Sequence, residues 1–379
     1  LFLTEEPLFS LPESNSYRHR FNPVCLEKKL KVKKTTRSQS LTMVFLPHLV
    51  GTQPDISVLD EFLGGLDVGK VTVVGAGFVG ATVAQYVSQQ DLADVVVVDV
   101  IEGMPQGKAL DLYEASPILG NDRKVFGTNS YADTAKSDLV VITAGIARKP
   151  GMTREDLLKT NASIVQSVAK ETAAVSPEAI FVTVTNPLDV MTHLTWRTTK
   201  LPSTRVLGMA GVLDSARFQS FLAETLNISG EDIKCMVLGG HGDLMLPLPR
   251  FSSVNGVPIT ELLSAEKIEE LAKRTRDGGA EIVALLKTGS AFYAPGAAVA
   301  LMVESILRDK RRLLPCAVLP QGEYGLQDLY IGLPAILGRQ GVEKIVELKL
   351  TDAELAALKK SADSIKENID LMSKLLVTA

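Results

Sequence analysis

The sequence predicts an α/β fold, with a doubly wound parallel sheet over residues 69–211 and an α+β half over residues 212–379. Three observations carry this prediction. The runs "KVTVV", "ADVVVVDV", "SDLVVITAG" and "AIFVTVTN" have near-continuous apolar centres that do not alternate with polar residues, as strands buried on both faces must. Helical stretches such as "DLLKTNASIVQSVAKETAAV" lie between them, the order expected when parallel strands are joined by crossovers. After about residue 211 this alternation stops, and helices, short strands and turns follow in mixed order.

The elements are justified in chain order. Residues 1–68 form an N-terminal extension without a periodic apolar face, and basic residues cluster in "RHR" and "EKKLKVKKTTRSQS". The chain starts at Leu1, so it reads as a processed chain or a fragment. A transit peptide fits the basic, Ser/Thr-containing composition, but Glu5, Glu6, Glu13 and Glu27 are unusual for one. A disordered tail and an extension upstream of Met43 stay open. Localisation is therefore expected to be cytoplasmic or, with a functional transit peptide, mitochondrial or plastid, and not secretory.

From Lys70 the texture changes to strand, glycine turn, helix and second strand. The turn "GAGFVG" supplies Gly75, Gly77 and Gly80. Such a string is informative only between a strand and a helix, which is where it stands. There the glycines permit the turn, the close approach of a pyrophosphate and tight helix–strand packing, while the helix N-terminus offers free N–H groups to phosphate. Asp99 follows Gly80 by nineteen residues, at the end of the second strand. A carboxylate there accepts hydrogen bonds from ribose hydroxyls and repels a 2′-phosphate, so the expected cofactor is NAD, not NADP. This half is expected to be a Rossmann-type nucleotide-binding domain.

The second half opens with a helix from "DSARFQSFLAETL" and continues through "KCMVLGGHGDLMLPLPRFSSVNGVPI", which reads as strands and turns. A long helical stretch breaks near "GSAFYAPGAA", a strand pair follows around "CAVLPQGEYGLQDLYIGLPAILGRQGVEKIV", and a terminal helix closes the chain.

Composition excludes several classes. The net charge of −4 gives no reason to expect nucleic acid as a partner, and no run nears the roughly 20 apolar residues of a membrane span. Cys25, Cys235 and Cys316 lie far apart without metal-ligand spacing, which fits reduced thiols, and no metal is expected. The sequons at Asn161 and Asn227 read as chance matches on helices.

Only four histidines are present, and "GGHGDLMLP" places His241 between glycines at the end of an apolar stretch. A lone histidine is ordinarily structural. "GVLDSARF" changes that reading, because Asp214 and Arg217 stand three apart at a helix start and so share a face. A buried carboxylate bonded to an imidazole fixes its tautomer and raises its pKa, while an adjacent arginine can hold a substrate carboxylate through two parallel hydrogen bonds. This is chemistry for a carboxylate next to a carbonyl or hydroxyl.

The glycine turn with Asp99, "TAGIARKPGMTRED", "VTNPLD", "VLDSARF" and "GGHGD" together resemble the lactate and malate dehydrogenase family over residues 69–379. The phenylalanine in "GAGFVG" and the string "GKALDLYEASPILG" are similar to its malate dehydrogenase members whose structure follows the lactate dehydrogenase branch. The resemblance implies that residues 212–379 form the catalytic, substrate-binding domain. His241 would be the acid/base, Asp214 its partner, and Arg217 the ligand of the C1 carboxylate. Arg154 would polarise the ketone oxygen, Asn186 would bond where cofactor meets substrate, and Asn161 would join Asn186 at the cofactor. A homotetramer is implied, with a dimer as the smaller alternative. His193, on the helix after "VTNPLD", reads as structural.

"GIARKPGMTRED" carries Arg148 and Arg154 six positions apart around Pro150 and Gly151. Lactate dehydrogenases resemble this loop but hold a neutral glutamine where Arg148 stands. An arginine there presents a planar fork to a second carboxylate, at C4 of malate or oxaloacetate. Leaving such a charge buried and unpaired costs about 3–5 kcal/mol, which disfavours pyruvate. The expected activity is reversible, NAD-dependent hydride transfer between (S)-malate and oxaloacetate, with loop closure bringing both arginines inward. A lactate or other 2-hydroxy acid dehydrogenase, and a non-catalytic NAD-binding protein, are the alternatives.

Overall fold

Six strands of the first half pair in parallel in the order β3-β2-β1-β4-β5-β6. They are β1 (Lys70–Val74), β2 (Asp94–Val98), β3 (Val125–Thr128), β4 (Leu139–Ile142), β5 (Ile180–Thr183) and β6 (Val206–Gly208). This computed structural model describes residues 69–146 and 152–377. The N-terminal extension 1–68 and Arg148 lie outside the described residues.

Continuous burial explains the absence of alternation. Val71, Val73, Leu139, Val140, Val141 and Ile142 are fully buried, because helices cover both faces. These are α1 (Phe78–Gln89), α2 (Met104–Leu119), α3 (Arg154–Val175), α4 (Leu188–Thr199) and α5 (Gly211–Leu226), with α6 (Ala265–Leu286), α7 (Tyr293–Leu307) and α8 (Asp352–Val377) following later in the chain. Each such side chain stabilises the fold by about 1.5–3 kcal/mol through burial. Phe181, on β5, is also fully buried, and its truncation to alanine costs about 3–5 kcal/mol.

The strand order reverses between β1 and β4, so the crevice outside their carboxyl ends is where a ligand fits such a sheet. The glycine turn leaves β1 there, Asp99 follows β2, and Asn186 follows β5 closely.

Five two-residue strands follow: β7 (Ile233–Lys234), β8 (Val237–Leu238), β9 (Leu246–Pro247), β10 (Ser253–Val254) and β11 (Val257–Pro258). The closing strands do more than the sequence suggested. β12 (Arg312–Val318) pairs with β6 antiparallel through Ala317 and Gly208. β13 (Ile331–Gly338) and β14 (Gly341–Ile345) continue outward, giving one mixed nine-stranded sheet. Accordingly the larger core cluster runs from Val71 to Met372, and a smaller one gathers Phe218, Leu222, Ile233 and Ile268.

Candidate active site

The turn after β1 has the form that a dinucleotide needs. Gly75 takes φ +106°, which a side chain rarely adopts, and a Cβ on it would press on the Ala144 amide nitrogen at 2.8 Å. A Cβ on Gly80 would collide with the Gly75 carbonyl oxygen, whereas one on Gly77 would meet nothing within 4 Å among the described residues. Gly75 and Gly80 are therefore required by the protein, and the open cradle at Gly77 is where a diphosphate fits. Gly77 is the N-cap of α1 without a side-chain cap, which leaves the helix N–H groups for an anion.

Asp99 accepts the Ala76 N–H through Oδ2 at 2.6 Å and the Ile101 N–H through Oδ1 at 3.0 Å, so its carboxylate is fixed beside the turn. Lys108, unassigned in the sequence reading, donates through Nζ to the Ala76 carbonyl at 2.6 Å and lies over the Phe78 ring at 5.3 Å. The Ala76 peptide groups are thus gripped by an anion on one side and a cation on the other.

At the other side of the crevice, Asp214 is 2% exposed and holds two partners at once. Its Oδ2 is 2.8 Å from His241 Nδ1, and its Oδ1 accepts from Arg217 Nη1 at 3.2 Å. Burial lowers the imidazole pKa, but the charge and hydrogen bond of Asp214, helped by the charge of Asp189, outweigh it and raise His241 above its ordinary value. Asp214 lies in the first turn of α5, whose N-terminal dipole favours the carboxylate. Ahead of that helix, fully buried Ala210 adopts φ 35° and ψ −116°, a strained conformation for a residue with a Cβ.

His241 stands in the loop joining β8 to β9, and two neighbouring amides pin that loop. Gly240 N–H donates to Ser361 Oγ on α8 at 2.9 Å, and His241 N–H donates to Asp189 Oδ2 on α4 at 2.8 Å. Asp189 was missed by sequence reasoning although "VTNPLD" contains it. Burial pushes its carboxyl up to about 6. Gly278 was missed too: a Cβ there would sit 3.2 Å from Arg217 Cδ, so a glycine inside α6 lets the arginine lie against the helix. Glycine in a helix interior costs roughly 1 kcal/mol relative to alanine, which makes "RDGGAE" a readable signal in retrospect.

His241, Arg217 and Asn186 line one cavity of about 390 Å³, together with Met209, Asp243 and Arg276. A larger cavity of about 750 Å³ lies at the opposite, amino-terminal end of the strands, beside Gly69, Asp138 and Ile180, and it holds none of these groups. Convergent chemistry, not size, identifies the site.

The structure does not bring every expected residue together. Arg154 is exposed and does not line the cavity. It is the first residue of α3, because Thr153 caps that helix in a reciprocal arrangement with Asp156. Asn161, expected at the cofactor, is 1% exposed, and its Nδ2 donates to the carbonyls of Ile146 at 3.2 Å and Asn186 at 2.8 Å. Its Oδ1 accepts from Ile146 N–H at 2.8 Å, so the side chain braces the loop after β4 against Asn186. Asn186 itself is exposed at the cavity rim.

Comparison with known proteins agrees with this geometry. Residues 69–208 match the model of the lactate/malate dehydrogenase NAD-binding domain, and residues 211–376 that of the lactate/malate dehydrogenase alpha/beta C-terminal domain. A malate dehydrogenase from Trichormus variabilis is 58% identical over 301 residues, covering 79% of this chain and 93% of that protein. The apo malate dehydrogenase of Picrophilus torridus superposes with a TM-score of 0.80 at 46% identity, over 82% of this chain and 99% of that one. A Cryptosporidium parvum lactate dehydrogenase, solved with lactic acid and nicotinamide adenine dinucleotide, gives a TM-score of 0.79 at 40% identity, over 81% and 99%. With a dinucleotide turn at one end of the crevice and a carboxylate-linked histidine and arginine at the other, the chain belongs to the lactate/malate dehydrogenase family.

Proposed function

We propose that this oxidoreductase interconverts (S)-malate and oxaloacetate with NAD. The observation that carries the reading is Asp214, one buried carboxylate joining a proton-carrying imidazole to a guanidinium within a single cavity. The names of the relatives, malate dehydrogenases at 51–58% identity, favour malate over lactate.

Gly75, Gly77 and Gly80 would admit the diphosphate, and Asp99 would take the adenosine ribose hydroxyls. When bound, the nicotinamide supplies a hydride acceptor or donor for the substrate C2. His241 takes the hydroxyl proton from malate and, as imidazolium, returns it to oxaloacetate; the raised pKa keeps that proton available near neutrality. Arg217 holds the C1 carboxylate, with Asp214 fixing its orientation. Asn186, at the cavity rim, donates to the substrate where it meets the cofactor. Closure of the loop around residues 146–156 would bring Arg154 to the ketone oxygen and Arg148 to the C4 carboxylate, excluding water around both charges.

The assembly we assign is a homotetramer, with a dimer as the smaller alternative. It is favoured by the apolar side chains that α2 leaves in solvent: Leu110, Tyr113, Ile118 and Leu119. Light scattering reads the mass directly.

The function is tested by NADH oxidation with oxaloacetate and with pyruvate. Oxaloacetate is the better substrate by orders of magnitude. Arg148→Gln lowers kcat/KM for oxaloacetate by about 10²–10⁴, the equivalent of the roughly 3–5 kcal/mol of one stranded charge, and improves pyruvate relative to it. An unchanged ratio of the two specificity constants removes Arg148 as selector.

A further inference from the structure

We propose that Asp189 is a positioning residue for the proton-transfer step, anchoring the His241 main chain and holding a negative charge against the imidazolium form of its ring. The inference rests on His241 being the proton carrier, as argued above.

The geometry comes first. Asp189 is 6% exposed, on the first turn of α4, and its Oδ2 accepts the His241 N–H at 2.8 Å. Its Oδ1 is buried and has no hydrogen-bond partner among the described residues. A main-chain N–H needs only a neutral acceptor, which asparagine provides at the same length. Placing a carboxylate there instead incurs the desolvation of a charge, and half of its hydrogen-bonding capacity stays unused. Such a group is retained where its charge acts on something.

Few charges are available for it to act on. The groups facing His241 are Asp214 and Arg217 from α5, Asp189 from α4, Asp243 from its own loop, and Arg276 and Asp277 from α6 across the cavity. Arg217 is already bonded to Asp214, and Arg276 to Glu269. Among the described residues, the imidazolium of His241 is the cation left beside Asp189, and it exists only while the proton is held. Asp189 thereby stabilises one state of the proton cycle and not the other. The two electrostatic effects agree in direction: the charge of Asp189 raises the pKa of His241, and that of His241 lowers the pKa of Asp189. Burial still leaves Asp189 near 6, so the two groups titrate as a coupled pair.

The test is histidine-selective NMR on the full chain, without cofactor or substrate, so that it is independent of turnover. The His241 resonance is identified by its loss in His241→Asn. Asp189→Asn keeps the acceptor and removes the charge, and is expected to lower the imidazole midpoint by about one unit. The pH profile of kcat/KM for malate moves with it, while KM at the optimum stays close to that of the native protein. An unshifted midpoint together with a lower Tm overturns the proposal, because Asp189 then only completes the N-terminus of α4. Should Asp189→Asn fail to fold, the wild-type curve decides: coupling to a group near 6 broadens it beyond a one-site titration, and a simple one-site curve overturns the idea. Failure of the dehydrogenase reading is seen separately, as absence of oxaloacetate turnover by the unmodified protein.

Discussion

His241 and His193 are both well shielded from water, His241 with a side chain 12% exposed and His193 at 7%, yet they depart from the ordinary imidazole value in opposite directions. Burial lowers both. At His241, Asp214 at 2.8 Å reverses the sign. At His193, burial and the charge of Arg197 push the value down to about 4, the pull of Asp328 being too weak to offset them. The neighbours of His193 are the Trp196 ring at 5.7 Å and, beyond it, Tyr330. Neither offers it an anion. A buried histidine is therefore a proton carrier or a neutral packing residue according to its partner, and burial alone does not separate the two.

The largest expected effect comes from giving His241 the surroundings of His193. Asp214→Asn removes the charge that opposes burial, so the imidazole midpoint falls below 6.5 and the donor form becomes scarce at neutral pH. Arg217 loses its ionic partner in the same step. Reduction of oxaloacetate at pH 7.5 should drop by about 10²–10⁴ in kcat, the usual contribution of positioned acid–base catalysis. Retention of kcat within about tenfold would break the comparison at its centre.

A backbone version of the contrast, of intermediate size, lies in one turn. Gly80 is surrounded by protein and Gly77 by open space. Gly80→Ala forces the turn apart and should lower both Tm and cofactor affinity, overpacking of this kind costing about 1–3 kcal/mol. Gly77→Ala meets no atom of the described residues, and its φ of −67° suits alanine, so Tm stays unchanged. Its NADH Kd should still rise by at least about tenfold, roughly 1.4 kcal/mol, in a fluorescence titration. Equal Tm losses in both variants would show that the space at Gly77 is not kept for a ligand.

These residues also show what the sequence could disclose. The glycine turn and Asp99 are legible because a single local unit, strand–turn–helix, contains the reason for each. β1, β2, β4 and β5 are legible because burial on both faces removes polar residues from them. β3 and β6 are not: "VFGT" is interrupted by an exposed Phe126 and a glycine, "VLG" has only three residues, and pairing with β2 and β5 makes them strands. The attachment of β12 to β6 rests on one registered pair between residues more than a hundred positions apart. The link between Asp214 and Arg217 follows from helical spacing, whereas the link of either to His241 needed the family resemblance. Asp189, Ser361 and Gly278 act on residues 52 or more positions away, through a main-chain amide or the room left by an absent Cβ, and no spacing rule reports such contacts.

The smallest expected effect concerns His193 and appears as stability, not activity. Its folded pKa of about 4 lies below the unfolded value near 6.5, so between those values the unfolded chain binds more protons. Its contribution to stability is therefore constant above 6.5, falls with pH down to about 4, and is level below that. At 1.36 kcal/mol per unit the loss at pH 5 approaches about 2 kcal/mol. Asp189, raised to about 6, works in the opposite direction over the same window, since its folded form takes up protons first. A single wild-type melting curve against pH thus mixes two opposed titrations, and a variant is needed to separate them. His193→Phe keeps a planar ring against Trp196 and removes both the proton site and the Nδ1 that is buried without a hydrogen-bond partner among the described residues. Its Tm should exceed that of the wild type at pH 5 by more than it does at pH 7.5, with malate oxidation unaltered at the higher pH. A Tm difference independent of pH would mean that His193 keeps its proton when folded, and the distinction between the two histidines would then have to rest on their contacts and not on their charge.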